Sequence, residues 1–76
     1  SNECPVIAVA VSSARFPDRG VERTIASLMS SCTQRWLVLL HKYEDQPVSD
    51  KRLAAWYRLA EACDVPADHL ISLSVV

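Results

Sequence analysis

The chain has 76 residues, of which 50% are hydrophobic and 22% are charged, and its formal net charge is -1 at pH 7. A chain of this length has room for one domain, and it buries only about 60% of its unfolded surface on folding. The near-neutral charge without a Lys/Arg run argues against nucleic-acid binding, and the lack of any apolar stretch of about 20 residues argues against a membrane span.

The first predicted element is a β-strand over residues 6–11, which is an uninterrupted apolar run. Pro5 precedes it, at a position where a missing N–H does little harm. Because the run shows no polar alternation, it predicts a strand that is covered on both faces. A polar connection over residues 12–20 follows, and Pro17 prevents a helix through Phe16.

An amphipathic helix is predicted from Val21, because apolar residues recur there at the spacing of a helix face. That face consists of Val21, Ile25, Leu28, Met29 and Cys32. Residues 36–40 then predict a second uniformly apolar strand, which ends at the polar stretch that begins with His41. A strand, a helix and a strand in this order indicate a crossover unit of a parallel sheet.

A second helix is predicted to begin near residue 50, because Ser49 or Asp50 can cap it. Pro66 closes it, and its apolar face contains Leu53, Trp56, Ala60 and Cys63. Tyr57 flanks this face, because neighbouring helical residues point about 100° apart. One member of the Trp56 and Tyr57 pair is therefore a candidate for a contact surface.

The last predicted strand covers residues 70–76 and differs from the other two because polar and apolar residues alternate in it. Ser72 and Ser74 share one face of this strand, as expected of a strand at an edge or an interface. The candidate interface residues are therefore the apolar residues of the opposite face together with the helix-flank tyrosine: Ile71, Leu73, Val75 and Tyr57.

These elements predict a single α/β domain over residues 1–76, with a three-stranded parallel sheet. Right-handed crossovers allow the strand order 2-1-3, with helices on both faces in three layers, or 3-2-1, with both helices on one face in two layers. The apolar first strand favours 2-1-3. In either arrangement part of the sheet stays bare, so a second copy or the remainder of a longer protein is expected to cover it. The start Ser1-Asn2 resembles the remnant of an expression tag, which also suggests a fragment.

The three cysteines lie far apart without a C-x-x-C spacing, which argues against zinc and against a redox pair. A reducing compartment, hence the cytoplasm, is the natural interpretation. Cys32 and Cys63 fall on the apolar helix faces, where a thiol behaves as a small buried hydrophobe.

Candidate ligand-binding residues follow the first two strands, because ligands bind outside the carboxyl ends of strands in an open parallel sheet. Hydroxyls and cations there could bind a small anion. No glycine-rich phosphate loop and no catalytic motif is present, and the two histidines are isolated, so the sequence predicts no enzyme activity, no cofactor and no metal site. The candidates are Ser12, Ser13, Arg15, His41 and Lys42.

Residues 35–73 contain an apolar strand, a polar loop, an acidic residue before Arg52-Leu53-Ala54, and a tryptophan at position 56. This pattern resembles the C-terminal soluble region of a family of uncharacterised bacterial inner-membrane proteins. The resemblance implies a cytoplasmic tail joined to membrane helices outside this chain and working beside another protein, and it supplies no catalytic residues.

The leading hypothesis is therefore a non-catalytic assembly or regulatory domain of a larger, membrane-associated bacterial protein. It would form a homo-oligomer or contact the rest of its parent protein, without binding nucleic acid and without entering the membrane itself. The alternative is a small module that binds an anionic ligand at the loops after the first two strands.

Overall fold

The computed structural model describes residues 5–42 and 50–75, which form three parallel strands, two α-helices and one short 3-10 helix. In chain order these elements are β1 (Val6–Ser12), α1 (Arg19–Met29), β2 (Gln34–Lys42), α2 (Asp50–Ala62), the 3-10 helix (Ala67–His69) and β3 (Leu70–Val75). The predicted α/β class with one parallel sheet is confirmed. Within the described ranges, no helix is long and apolar enough to cross a membrane.

The strand order is β1-β2-β3, so the preferred order 2-1-3 is wrong and the alternative order 3-2-1 is the one found. The apolar residues of both helices pack with Leu37 and Leu39 of β2 in one core, which places both helices on the same face of the sheet. With only two helices available, one shared core buries their apolar faces more completely than two half-covered faces would. The core consists of Ile25, Met29, Leu37, Leu39, Trp56, Leu59, Ala60, Cys63 and Val65.

The expectation that the first strand is covered on both faces is wrong. Burial alternates along β1, and only Ile7, Val9 and Val11 pack against the core. The intervening residues, which include Ala8 and Ala10, are exposed. Alanine has little side chain to expose, so an apolar sequence at these positions does not require a covering layer.

Helix α1 begins two residues before the predicted start at Val21. Asp18 caps it, because one carboxylate oxygen of Asp18 accepts a hydrogen bond from the backbone N–H of Val21 at 2.8 Å. Ser49 and Asp50 are the two predicted caps of α2. Asp50 is the first residue of the helix, and Ser49 lies outside the described residues.

Helix α2 ends in a Schellman motif. The N–H of Val65 donates to the carbonyl of Ala60 at 2.8 Å, and the N–H of Asp64 donates to the carbonyl of Glu61 at 3.1 Å. Asp64 occupies the left-handed position with φ of 59°, where glycine is the usual residue. Buried Val65 then continues the core beyond the helix end.

We expect the substitution Asp64→Gly to raise the free energy of unfolding by about 0.5 kcal/mol, because it relieves a left-handed conformation that costs an L-residue about 1–2 kcal/mol. The ion pair lost with Arg35 offsets only part of this, since the Asp64 side chain is 86% exposed. Urea denaturation measures the difference. Asp64→Ala is the matched control and should destabilise; equal stability of the Gly and Ala variants would contradict the expectation.

Arg35 joins the ends of both helices to the start of β2. Its Nε donates to the carbonyl of Cys32, just after α1, at 3.2 Å. Its Nη1 donates to the carbonyl of Cys63, just after α2, at 3.0 Å. A guanidinium placed at two helix C-termini satisfies carbonyls that have no partner within the helix and complements both helix dipoles.

Candidate functional site

Among the described residues, no α-helix covers the sheet face opposite α1 and α2, and we call it the open face. Strand register brings its side chains together: Val38 of β2 pairs with Ala10 and Ile71, and Leu40 pairs with Ser12 and Leu73. Exposure of the β3 side chains on this face is 37% for Ile71, 49% for Leu73 and 45% for Val75. The open face is therefore a partly exposed, mainly apolar surface built on three strands: Ala8, Ala10, Ser12, Trp36, Val38, Leu40, Ile71, Leu73 and Val75.

One end of the open face is closed by an aromatic pair. The rings of Trp36 and His69 stack with centroids 3.8 Å apart and planes 6° apart. His69 is held by a hydrogen bond between Nδ1 and the backbone carbonyl of Arg35 at 3.0 Å. This pair is not predictable from the sequence, since the two residues lie in different elements and neither carries a motif.

The structure separates the four predicted interface residues into two groups. Ile71, Leu73 and Val75 lie together on the open face, as their alternation with serines predicts. Tyr57 lies on α2, in the helix layer, where it lines a separate groove of 440 Å³ with Pro66 and Ala67. Tyr57 is therefore not part of the open face.

The two serines predicted as ligand-binding residues bond to nearby backbone. The hydroxyl of Ser13 is buried and donates to the carbonyl of Leu40 at 3.2 Å, and the hydroxyl of Ser12 accepts from the N–H of Ala14 at 3.3 Å. Arg15 is exposed, and its carbonyl accepts a hydrogen bond from the indole of Trp56. The backbone of Lys42 ends β2, while its side chain lies outside the described residues.

His41 is buried on the helix side of the sheet, away from the open face. Its Nδ1 lies 3.4 Å from the hydroxyl of Ser72, and its Nε2 lies 3.2 Å from the hydroxyl of Ser74. The serines that alternate through β3 thus have a structural use, because they provide hydrogen-bond partners for a buried imidazole. Among the described residues, no group of three or more metal-ligating side chains comes together.

Cys32 and Cys63 are buried, as predicted for small hydrophobic thiols, whereas Cys4 lies outside the described residues. Burial raises the pKa of the Cys63 thiol above its ordinary value of 9.0, and the nearby negative charge of Glu22 raises it further, while Arg35 acts in the opposite direction. The Sγ of Cys63 also donates to the backbone carbonyl of Glu22 at 3.8 Å. This thiol is therefore protonated and unreactive at neutral pH.

We expect Cys63 to make folding stability fall with rising pH in alkaline solution. Above its ordinary pKa of 9.0 the unfolded chain loses the thiol proton while the folded chain keeps it, so the unfolded state is favoured as pH rises. Below that pH both states are protonated and this group contributes no slope. Urea denaturation across this range should show a shallower fall for Cys63→Ala than for the parent chain, and an identical slope would contradict the assignment.

Comparison with known proteins finds a family but no individual relative. No curated protein and no solved structure matches the chain significantly. The model of the family DUF2868, described as a protein of unknown function, matches residues 1–65, which is most of the chain. The expectation of an uncharacterised family is confirmed, whereas the expectation of a membrane-protein family stays a prediction. The chain belongs to the DUF2868 family of proteins of unknown function.

Proposed function

We propose that the chain is a non-catalytic assembly domain whose open face binds one amphipathic helix of another polypeptide segment. The observation that carries this proposal is the exposed row of Ile71, Leu73 and Val75 on β3, which continues through Val38 and Leu40 of β2. Burial of each such side chain contributes about 1.5–3 kcal/mol relative to full exposure, so a half-exposed row provides substantial binding energy.

The architecture of the sheet argues for a helix as the occupant. All-parallel sheets occur almost only with both faces covered, and helices are what cover them. Adjacent strands lie about 4.8 Å apart, so the outer strands of a three-stranded sheet are about 10 Å apart. This width matches the diameter of a single helix, about 10–12 Å with its side chains.

The open face also limits the chemistry of that helix. From Trp36 to Leu40 the β2 residues of this face are a tryptophan, a valine and a leucine, and the β3 residues beside them are branched aliphatics. The binding helix must therefore present an uncharged stripe of large apolar residues at spacings of three and four. A charge within that stripe would be buried without a partner.

The cellular setting is a further part of the proposal. The resemblance of residues 35–73 to the C-terminal region of bacterial inner-membrane proteins supports a membrane-associated parent protein with this domain on the cytoplasmic side. The buried free thiol of Cys63 fits a reducing compartment. Membrane fractionation of the natural host, followed by protease protection of this segment, tests the setting.

Site-specific photo-crosslinking in the natural host tests the docking proposal. A benzophenone amino acid placed at Leu73 should cross-link to an amphipathic helical segment, identified by mass spectrometry of the joined peptides. The same probe at Glu61, exposed in the helix layer, is the matched control.

Two results are expected from this experiment. The Leu73 probe should give a defined cross-link that the Glu61 probe does not, and Ile71→Lys should abolish it by placing a charge against the apolar stripe. The proposal is overturned if both probes cross-link alike, if Ile71→Lys leaves the cross-link unchanged, or if the joined peptide lacks an apolar helical stripe.

A further inference from the structure

The outer edge of β1 directs backbone hydrogen-bonding groups away from the sheet. The carbonyl of Pro5 accepts from Gln34 at 2.8 Å, and the N–H of Ser13 donates to Leu40 at 2.8 Å. Odd-numbered residues of β1 therefore bond toward β2. Because successive residues of a strand alternate in direction, the N–H and C=O groups of Ala8 and Ala10 point to the outer edge, where no described strand lies.

This edge lacks the features that prevent strands from pairing between molecules. Edge strands are usually interrupted by lysine, proline or a bulge, yet Val6–Ser12 contains no charged residue and no proline. A groove of 610 Å³ runs between β1 and α1 beside the edge. Val9, Val11 and Val21 line it with Leu28, which is 52% exposed although it belongs to the predicted apolar helix face.

The sequence of β1 is nearly palindromic around Val9. Read from either end, residues 7–11 alternate a β-branched side chain with alanine. In an antiparallel pair of two copies centred on Val9, Ile7 meets Val11 of the second copy and Ala8 meets Ala10. The β-branched residues would then pair with one another on the helix side of the sheet. Cross-strand pairs of β-branched residues are favourable.

The direction of the backbone groups agrees with the same register. Antiparallel strands alternate between residue pairs that exchange hydrogen bonds and pairs that do not. With Val9 at the centre, Ala8 and Ala10 of opposite copies form the bonding pairs, and these are the residues whose N–H and C=O groups point outward. Val9 of one copy then lies opposite Val9 of the second copy, in a pair that exchanges no hydrogen bonds.

We propose that β1 pairs in antiparallel fashion with β1 of a second copy, joining two three-stranded sheets into one of six strands. On the groove side, α1 presents the uncharged residues Val21, Thr24 and Leu28 beside the new pair, and Asp18 is the charged residue that lines the groove. Because the two copies run antiparallel, their Asp18 carboxylates lie at opposite ends of the pair, so like charges are not placed together. A strand of seven residues is about 23 Å long.

The length of this strand predicts a weak dimer. The contact between the two copies would be about 23 Å long, the length of β1, and about 20 Å high, the height of the sheet with one layer of helices. An interface of this area is small. We therefore expect a concentration-dependent dimer with a dissociation constant in the micromolar range. The two open faces would lie on the same side of the joined sheet, so this pairing uses a different surface from the helix docking proposed above.

Cysteine cross-linking tests the register. Opposed residues of a non-bonded antiparallel pair have Cα atoms about 4.5 Å apart, within the range of about 4.4–6.8 Å that a disulfide spans. In a Cys4→Ser background, Val9→Cys should give a disulfide-linked dimer on a non-reducing gel. Ile71→Cys, an apolar strand position at 37% exposure on the open face, is the matched control and should stay monomeric.

A second variant tests the backbone bonds without changing the core. Ala10→Pro removes an N–H that points outward, and an edge strand tolerates proline at such a position. Sedimentation velocity should show at least a tenfold weaker dimer for Ala10→Pro than for Ala10→Ser, with the circular dichroism spectrum of the parent retained.

The proposal is overturned if the parent chain is monomeric at about 100 μM, well above the expected constant. It is also overturned if Ala10→Pro dimerises like Ala10→Ser, or if Val9→Cys and Ile71→Cys cross-link alike. Failure here is distinguishable from failure of the helix docking, because Ile71→Lys should abolish the helix cross-link and leave the dimer intact.

Discussion

Replacing Trp56 with alanine is expected to remove a large share of the free energy that keeps this domain folded. Trp56 is 2% exposed at the centre of the core, and its Nε1 donates to the carbonyl of Arg15 at 3.0 Å. Truncation of a buried tryptophan costs about 3–5 kcal/mol. A domain of 76 residues has a total stability of about 4–11 kcal/mol. Urea denaturation followed by circular dichroism measures the loss.

Two further substitutions separate the causes of this effect. Trp56→Phe keeps most of the apolar volume and removes the indole hydrogen bond to Arg15, so its cost should be about half or less of that of Trp56→Ala. Tyr57→Ala is the matched surface control, since Tyr57 is 47% exposed on the same helix. If Tyr57→Ala destabilises as much as Trp56→Ala, the assignment of Trp56 to the centre of the core is wrong.

The second large effect is expected at Arg35. Arg35→Met should lower the free energy of unfolding by about 2–4 kcal/mol, because it removes charge-assisted hydrogen bonds to the carbonyls of Cys32 and Cys63. Arg35→Lys should fall between the parent and Arg35→Met, since one ammonium cannot reproduce the guanidinium fork. Urea denaturation compares all three proteins.

Arg23→Met is the control for the loss of a positive charge. Arg23 is exposed on α1, so its removal should change stability by no more than about 0.5 kcal/mol. The Arg35–Asp64 ion pair, at 3.5 Å with an exposed carboxylate, contributes little to the difference. Similar losses for Arg23→Met and Arg35→Met would show that the link between the two helix ends is not an important source of stability.

The elements themselves were predictable because their signals are local. Helical spacing from Val21 to Met29, the apolar run at residues 36–40 and the alternation after Leu70 each depend on neighbouring residues only. The observed β1 and β2 extend the predicted apolar runs by one or two residues at their ends. Helix α1 begins two residues before the predicted start, at the Asp18 cap, and ends at Met29, before Cys32 of the predicted face.

The strand order was not predictable from the same signals. The apolar run of β1 suits a central strand covered on both faces, and it equally suits an edge strand whose outward side chains are alanines. The choice between these arrangements depends on whether the two helices pack better in one shared core or in two separate cores. This depends on how the whole chain packs. The preference for 2-1-3 failed for this reason.

The sites were predictable in part. The face shared by Ile71, Leu73 and Val75 follows from the alternation of β3, whereas the stacking of Trp36 on His69 requires the start of β2 and the 3-10 helix to meet in space. The use of Ser72 and Ser74 as partners of His41 likewise depends on strand pairing.

By itself, the sequence of this DUF2868 chain determined the β-α-β-α-β order of elements, the parallel sheet and the apolar side of each element. These are encoded by periodicity, which each segment carries alone. Only the tertiary structure decided that both helices share one face, that β1 stands at an edge with its Ala8 and Ala10 backbone outward, and that Arg35 joins two helix ends. The reason is physical. Strand order and long-range hydrogen bonds depend on which arrangement of the whole chain has the lowest free energy, and no single segment determines that arrangement.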